Sequence, residues 1–484
     1  MQNDSVFLRN GLREVFDNLK TIYGVRGDVD YNIVRYFESD LFHQTCRNPK
    51  CIDDIPEVSF EDIKVLCERE KLFKDQCKSL ISQFDEYCQK KQDTDDVVRE
   101  LAGFFGICPG RVDWMETLFP HMVDLFVDSK QAGESLWNDV INHSKLVNLV
   151  TRSLCDFIRS KHRFEYDGRE IVSIGYARNY YRGENAYYGR SFPSLFREEP
   201  IDEKNRDSYR FMRALKCTEF ALFIEELDFV RKWPFGSIYH PAIAQHYGIP
   251  TTYMDVSSDI NAALFFACCA WDGENKCWRP LFPAEYEKED SRKIIAEKGG
   301  DSRYGILHIA PADISNMLYS SEKDYHCSIV YPIGIQPFMR CDYQSGYIVK
   351  GNPGYDMFSD IMFNEVKFKL SDDICNWIYE KMEHGKLIYP YEPIEGILDI
   401  ISCINSTKVV SNRAFDVQMD CWKKTKEERD RYKKELREFG CEVDKDFEVA
   451  TDEEKKDIEI KFWKGDYCKK LQSLNPTASI TFCI

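Results

Sequence analysis

Apolar residues recur at three- and four-residue spacing through the first third of the chain. From Phe60-Glu61-Asp62-Ile63-Lys64-Val65-Leu66 toward Cys88 they are interleaved with Lys and Glu, and residues 93–105, 110–126 and 136–157 share the pattern. That period gathers apolar positions on one face of a helix. Residues 1–165 are therefore expected to be α-helical, with no fixed-period repeat. Between about 166 and 400 the pattern changes: Gly and Pro become frequent, and short runs such as Ile171-Val172-Ser173-Ile174, Gly305-Ile306-Leu307-His308-Ile309 and Asn364-Glu365-Val366-Lys367-Phe368 read as strands. Helices are expected over Phe211–Trp233, over Ile260–Trp271, and from near Pro241 to a stop at Gly248. The region is thus expected to be an α+β central domain, flanked by α-helical N-terminal and C-terminal regions. Residues 283–303, charged and containing Gly299-Gly300, read as an exposed insertion. From 401 to 484 the helical pattern returns, and the charge-dense Lys423–Glu438 reads as a solvated helix.

Length and charge narrow the functional classes. A chain of 484 residues exceeds the size at which one core stops growing, so two or three domains are expected: 1–165, 166–400 and 401–484. A net charge of −17 disfavours non-specific adhesion to nucleic acid or anionic membranes, while leaving room for a local basic groove. The 19 cysteines are scattered, form no CxxC pair, and offer only Cys46-x4-Cys51 as an incomplete knuckle, so no metal site is expected. Met1-Gln2-Asn3-Asp4-Ser5 lacks the basic and apolar regions of a leader. A cytoplasmic protein with reduced thiols is the expectation. The strongest apolar run, Ile260 to Trp271, is about half of what a bilayer requires.

Candidate chemistry concentrates in three patches. In Tyr180-Tyr181-Arg182-Gly183-Glu184, an arginine at a strand end could grip a phosphate with two parallel hydrogen bonds, and Gly183 would let a ligand approach the backbone. The plainer reading pairs Arg182 with a nearby acid. In Ser191-Phe192-Pro193-Ser194-Leu195-Phe196-Arg197, a second guanidinium could join the first, an arrangement suited to a diphosphate. In Gln245-His246-Tyr247-Gly248, His246 could be a base, a ligand donor or a structural link. Thr251, Asp255, Ser257 and Ser258 follow, and Asp255 or Ser258 could cap the next helix. Arg182, Arg197, Gln245, His246 and Asp255 are expected to converge on one cleft. No nucleophile elbow, Walker loop or HExxH helix is present.

Together these patches resemble the FRG domain family, whose motif is an aromatic-Arg-Gly triplet, a Pro-Ser-Leu-x-Arg element, and Gln-His-x-Gly-x-Pro-Thr leading to Asp and an Ala-Leu-x-Phe-Ala helix. Here they are Tyr181-Arg182-Gly183, Pro193 to Arg197, Gln245 to Thr251, Asp255, and Ala263-Leu264-Phe265-Phe266-Ala267. Later family-like pieces are Arg340-x3-Gln344-x-Gly346-x-Ile348 and Leu387 to Pro390, so the likeness spans roughly 170–400. Thr252-Tyr253-Met254-Asp255-Val256 departs from the family's usual Arg-Leu-Leu-Asp-Trp. The resemblance implies a split sheet laid out like that of ADP-ribosyltransferases, by fold-level analogy. It further implies binding of NAD by Tyr181, Arg182, Gly183, Arg197, Gln245, Asp255 and Ser257 (or Ser258), with His246 and a late Gln344 at the reacting end. Gln344 is neutral where such enzymes have Glu, which leaves Glu365 and Glu184 as substitutes. Three functions stay open: an ADP-ribosyltransferase or NAD-cleaving effector in bacterial antiviral defence, a non-catalytic nucleotide sensor, and a structural or interaction protein. The helical flanks are expected to serve a protein partner or self-association.

Overall fold

One mixed sheet of seven strands organises the centre of the protein. The computed structural model describes residues 49–68, 70–71, 164–166, 169–171, 179–281, 301–311, 330–360, 362–390 and 396–474. The strands are β1 (Glu57–Val58), β2 (Asn179–Glu184), β3 (Tyr253–Ser257), β4 (Tyr304–Pro311), β5 (Val330–Pro332), β6 (Gly346–Lys350) and β7 (Asn364–Lys369). Their spatial order is β1-β7-β4-β2-β3-β6-β5. β1 runs parallel to β7, and every other neighbouring pair is antiparallel.

The pairing is uneven. β2 and β4 are in register over six residue pairs, and β3 and β6 over five, but β2 and β3 meet only at Tyr181 and Ser257. Beyond that pair the two central strands share no ladder, so their backbone groups need other partners. Arg182 supplies one, its Nη1 donating to the Asp255 carbonyl at 2.9 Å.

Strand alternation sorts the side chains of β2, β4 and β7 onto two faces. Tyr181, Leu307, Ile309, Val366 and Phe368 pack with a helix spanning Ile260–Cys268, whose residues are buried nearly all round. The helix lies so close that a Cβ on Gly183 would sit 1.8 Å from the Ala263 carbonyl oxygen. Gly183 is thus required by packing against this helix. On the opposite face Tyr180, Ala310, Met254, Val256 and Val349 pack with Met357, Met362 and Phe363.

Several expected boundaries shift. The helix expected over Phe211–Trp233 runs over Glu203–Glu225, with Asp202 as its cap, and a separate short turn covers Asp228–Arg231. The helix from Ile260 ends at Cys268, and Cys269–Asp272 pairs with Cys277–Pro280 as a hairpin. The reason is cross-strand aromatic packing of Trp271 on Trp278. That helix is capped by Asp259, which accepts from the Asn261 amide, rather than by Asp255 or Ser258. The helix His240–His246 carries Pro at its start, and Gly248 follows it at φ +87°, the left-handed stop that was expected.

The chain ends add to this framework. Residues 60–68 are helical, whereas Glu57–Val58, within the stretch expected to be helical, extends the sheet edge. The periodic stretches 93–105, 110–126 and 136–157, and most of the 283–303 insertion, lie outside the described residues. The charged stretch is the helix Lys426–Phe439, opened by a Thr425–Glu428 capping box, closed by Gly440 at φ +90°, and burying only Leu436. The C-terminal region is not wholly helical: Val409–Ser411 pairs in parallel with Glu442–Asp444. Its helices pack on the long Glu203–Glu225 helix and its extension, through Phe415 and Met419 on Phe211 and Leu215, and Phe462 stacked on Phe229. Among the described residues the cysteines are free, no His/Cys/Asp/Glu group could hold a metal ion, and no helix is long and apolar enough to cross a membrane.

Gly183→Ala is expected to lower stability by about 3 kcal/mol or more, because helix backbone cannot yield as a side chain does. Gly273→Ala, where an added Cβ meets nothing within 4 Å, should change it by less than about 0.5 kcal/mol. Urea denaturation of the two variants measures the difference; equal stabilities would contradict the packing described.

Candidate functional site

A cleft of about 960 Å³ opens where β2 and β3 part. Its walls come from β2, β3, the loop through Ser191 to Glu198, the end of the His240–His246 helix, Arg340, Gln344 and Tyr389. Four arginines (Arg182, Arg190, Arg197, Arg340) and three acids (Glu184, Glu198, Asp255) line it, giving a locally cationic surface in a protein of net charge −17.

Arg182 is largely buried, and it is anchored along one edge. Its Nε donates to Glu184 Oε1 at 3.1 Å and its Nη1 to the Asp255 carbonyl, leaving Nη2 with no partner among the described residues. Arg197 is held by Nε alone, to the Phe192 carbonyl at 3.1 Å. Its surface is open to the cleft while protein surrounds it on other sides, and this burial, reinforced by Arg182, lowers its pKa. Arg340 is committed differently: its guanidinium lies 4.4 Å from the Tyr247 ring centroid and 5.0 Å from that of Tyr389, and it donates to the His246 carbonyl.

The Gln245–His246 pair is fixed by its surroundings. Gln245 Oε1 accepts from Thr251 Oγ1 (2.6 Å) and Ser194 Oγ (3.2 Å), so its amide nitrogen faces Asp255 Oδ2 at 3.3 Å. His246 is buried, with Nδ1 2.8 Å from Gln344 Oε1. Because Gln344 Nε2 donates to the Ile388 carbonyl, its oxygen must face the ring, and Nδ1 carries the proton. Nε2 then points toward Asp255 Oδ1, 3.7 Å away. Neither atom has a hydrogen-bond partner, although both are buried. A Cβ on Gly346 would come within 2.9 Å of that same Nε2, so the ring's seat depends on glycine there.

A row of charge crosses the sheet beside the cleft. Arg182, His308 and Glu365 are directly opposite one another on β2, β4 and β7, and Glu184 lies two residues along from Arg182. Glu184 Oε1 receives both Arg182 Nε and Ser191 Oγ, the latter at 2.6 Å, while Oε2 lies 3.7 Å from His308 Nε2. His308 Nδ1 is 3.2 Å from Glu365 Oε1, and both side chains are fully buried. Burial alone would depress the His308 pKa, but the two carboxylates outweigh it and push it up to about 9. Burial would likewise raise Glu184; His308 and Arg182 overcome this and hold its carboxyl far below the usual carboxylate range. For Glu365, burial outweighs His308, and the pKa is raised.

The residues singled out in the sequence fall into three groups. Arg182, Arg197, Gln245, His246 and Asp255 meet at the cleft. Tyr181, Gly183, Ser257 and Gln344 border it while serving the framework. The Tyr181 ring is in the core, and Ser257 Oγ donates to the Gln344 carbonyl and accepts from the Asp259 amide. Gln344 ends the short helix Met339–Tyr343, where it holds His246. Glu365 does not line the cleft; it faces His308 within the sheet. His308 was missed as a functional candidate, and its signal was a lone ionisable residue inside the apolar run Ile306 to Ala310.

Residues 177–276 match the family model of the FRG domain. This span carries β2, β3 and the Arg182, Arg197, Gln245, His246 and Asp255 side chains, and stops before Arg340 and Leu387. No curated protein and no solved structure matches the chain.

The raised pKa of His308 fixes the sign of a pH effect. Its stabilising contribution is complete below the ordinary value of 6.5 and is lost as pH rises through about 9. Glu184, with a depressed pKa, contributes above its ordinary 4.5 and loses that contribution as pH falls. His308→Gln leaves Glu365 without its cation and Glu184 with Arg182 alone, and should cost about 3–5 kcal/mol near neutrality. Urea denaturation should also show the alkaline decline of the wild type absent from the variant; an identical decline in both would assign it elsewhere.

Proposed function

We propose that the cleft binds a nucleotide carrying a diphosphate, of the NAD class. The observation that carries this reading is the pair of guanidinium groups, Arg182 and Arg197, each anchored on one edge and presenting remaining N–H groups to a common cleft. A diphosphate has acceptor oxygens on both phosphates and suits two such forks. Beside them, His246 Nε2 and Asp255 Oδ1 are buried with no hydrogen-bond partner, and ribose hydroxyls, which both donate and accept, suit that need. The volume is at the upper end for small-molecule clefts, consistent with an extended ligand.

An ADP-ribosyltransferase or NAD-cleaving activity, with a role as an effector in bacterial antiviral defence, is the catalytic form of this reading. It rests on the resemblance of the motif set and on a carboxylate beside the ribose position. Loss of nicotinamide leaves positive charge on the ribose, which a fixed carboxylate stabilises. Asp255 is the carboxylate best placed for this, since Glu184 is held by Arg182 and Ser191, Glu365 faces His308, and Glu198 lies against Arg213. Non-catalytic nucleotide sensing is the second reading, favoured by Gln344, a neutral amide already engaged by His246 and Ile388.

NAD or ADP-ribose at about 100 times its dissociation constant should stabilise the native protein by about 2.7 kcal/mol, raising Tm. Arg182→Ala should remove about 1.5–3 kcal/mol of that affinity per charged hydrogen bond lost. Absence of any shift with NAD, ADP-ribose, ATP or GTP would end the nucleotide reading. Release of nicotinamide by wild type and its loss in Asp255→Asn would establish catalysis; binding without release would establish sensing.

A further inference from the structure

We propose that His308 and Glu365 are positioning residues for the cleft, fixing Glu184 and, through it, the direction in which Arg182 faces the ligand. The inference deepens the reading of Arg182 as an anion clamp and rests on it. It starts from register: three adjacent strands put Arg182, His308 and Glu365 side by side, and the two-residue step from Arg182 adds Glu184 to the same face. Charge alternates along this row, from the guanidinium at the cleft to Glu184, His308 and Glu365 in the interior.

Glu184 is the hinge of the arrangement. One oxygen holds Arg182 Nε and Ser191 Oγ, and the other has no hydrogen-bond partner and lies 3.7 Å from His308 Nε2. Without His308, that oxygen is buried against nothing that compensates it, and the carboxylate gains by turning, which releases Arg182 from its Nε anchor. Sharing Glu184 with a second cation also limits how far it neutralises Arg182. The Phe358 ring, with its centroid 4.8 Å from that of His308, closes the row from above.

Stability alone does not account for this row. Buried ion pairs seldom stabilise more than well-packed apolar residues of the same size, and Ile306, Leu307, Ile309 and Ala310 show that β4 is otherwise apolar. A file of charge that begins deep in the sheet and ends on a ligand-facing guanidinium is what orientation requires.

The test compares wild type, His308→Gln and the double variant His308→Gln/Glu365→Gln. In the double variant a neutral amide pair replaces the inner ion pair, which should restore part of the lost Tm. Arginine-labelled protein gives the Arg182 Nε–H resonance, assigned by Arg182→Lys, and calorimetry with ADP-ribose gives affinity. The expected result is that both variants lose the protected Nε–H signal and bind ADP-ribose about tenfold more weakly or worse, the scale on which outer supporting partners act, even where Tm recovers. Recovery of the Nε–H signal and affinity along with Tm would overturn the proposal, reducing His308 to a counter-charge for Glu365. If wild type does not bind ADP-ribose, the nucleotide reading falls, and the Nε–H resonance alone decides whether His308 orients Arg182.

Discussion

The cleft exists because two central strands meet at a single residue pair and are then joined by a side chain. Where a continuous sheet would place backbone hydrogen bonds between β2 and β3, Arg182 reaches across to the Asp255 carbonyl. That contact does two things together. It satisfies a carbonyl that the ladder leaves open, and it holds a guanidinium at the edge of the opening with part of its hydrogen-bonding capacity unspent. The strands flanking the gap are well paired on their outer sides, β2 with β4 and β3 with β6, so the opening sits between two firm halves. Rigid walls of this kind are what precise ligand contacts need.

Around that gap several of the cleft side chains are each held in place by another side chain. Thr251 and Ser194 orient Gln245, Gln344 sets the tautomer of His246, and Glu184 holds Arg182. Thr251, Gln344 and Glu184 are buried, where a missed hydrogen bond is costly and the geometry is correspondingly well defined. His246 Nε2, Asp255 Oδ1 and Glu184 Oε2, on residues that line the cleft, are buried with no hydrogen-bond partner.

Much of the framework was legible in the order of residues, and the reasons for what was not are physical. The apolar run from Ile260 announced a buried helix, and Gly248 announced a helix stop, because both signals are local. The cap of that helix was harder: Asp255, Ser257, Ser258 and Asp259 are all competent cap residues within five positions, and only the geometry selects Asp259. The gap between β2 and β3 left no trace, since strand pairing is decided by residues far apart in the chain. Glu365 read as a candidate acid because it stands in the strand-like run Asn364–Phe368 and could substitute for the acid that Gln344 replaces. Residues 364–368 are buried on both faces, so alternation could not tell which side Glu365 takes or that His308 would meet it. For the same reason His308 looked like part of a strand and nothing more.

The stretch similar to the FRG domain ends at 276, yet it contains only two strands of the seven, and those two touch at one position. The neighbours that complete them, β4 and β6, arrive from residues 304–311 and 346–350. A fragment trimmed to the matched borders would carry two nearly separate ribbons, each with a bare hydrogen-bonding margin and an apolar side stripped of its cover. In this chain the portion that matches the family model is therefore smaller than the portion that can hold itself together, and the cleft belongs to the larger one.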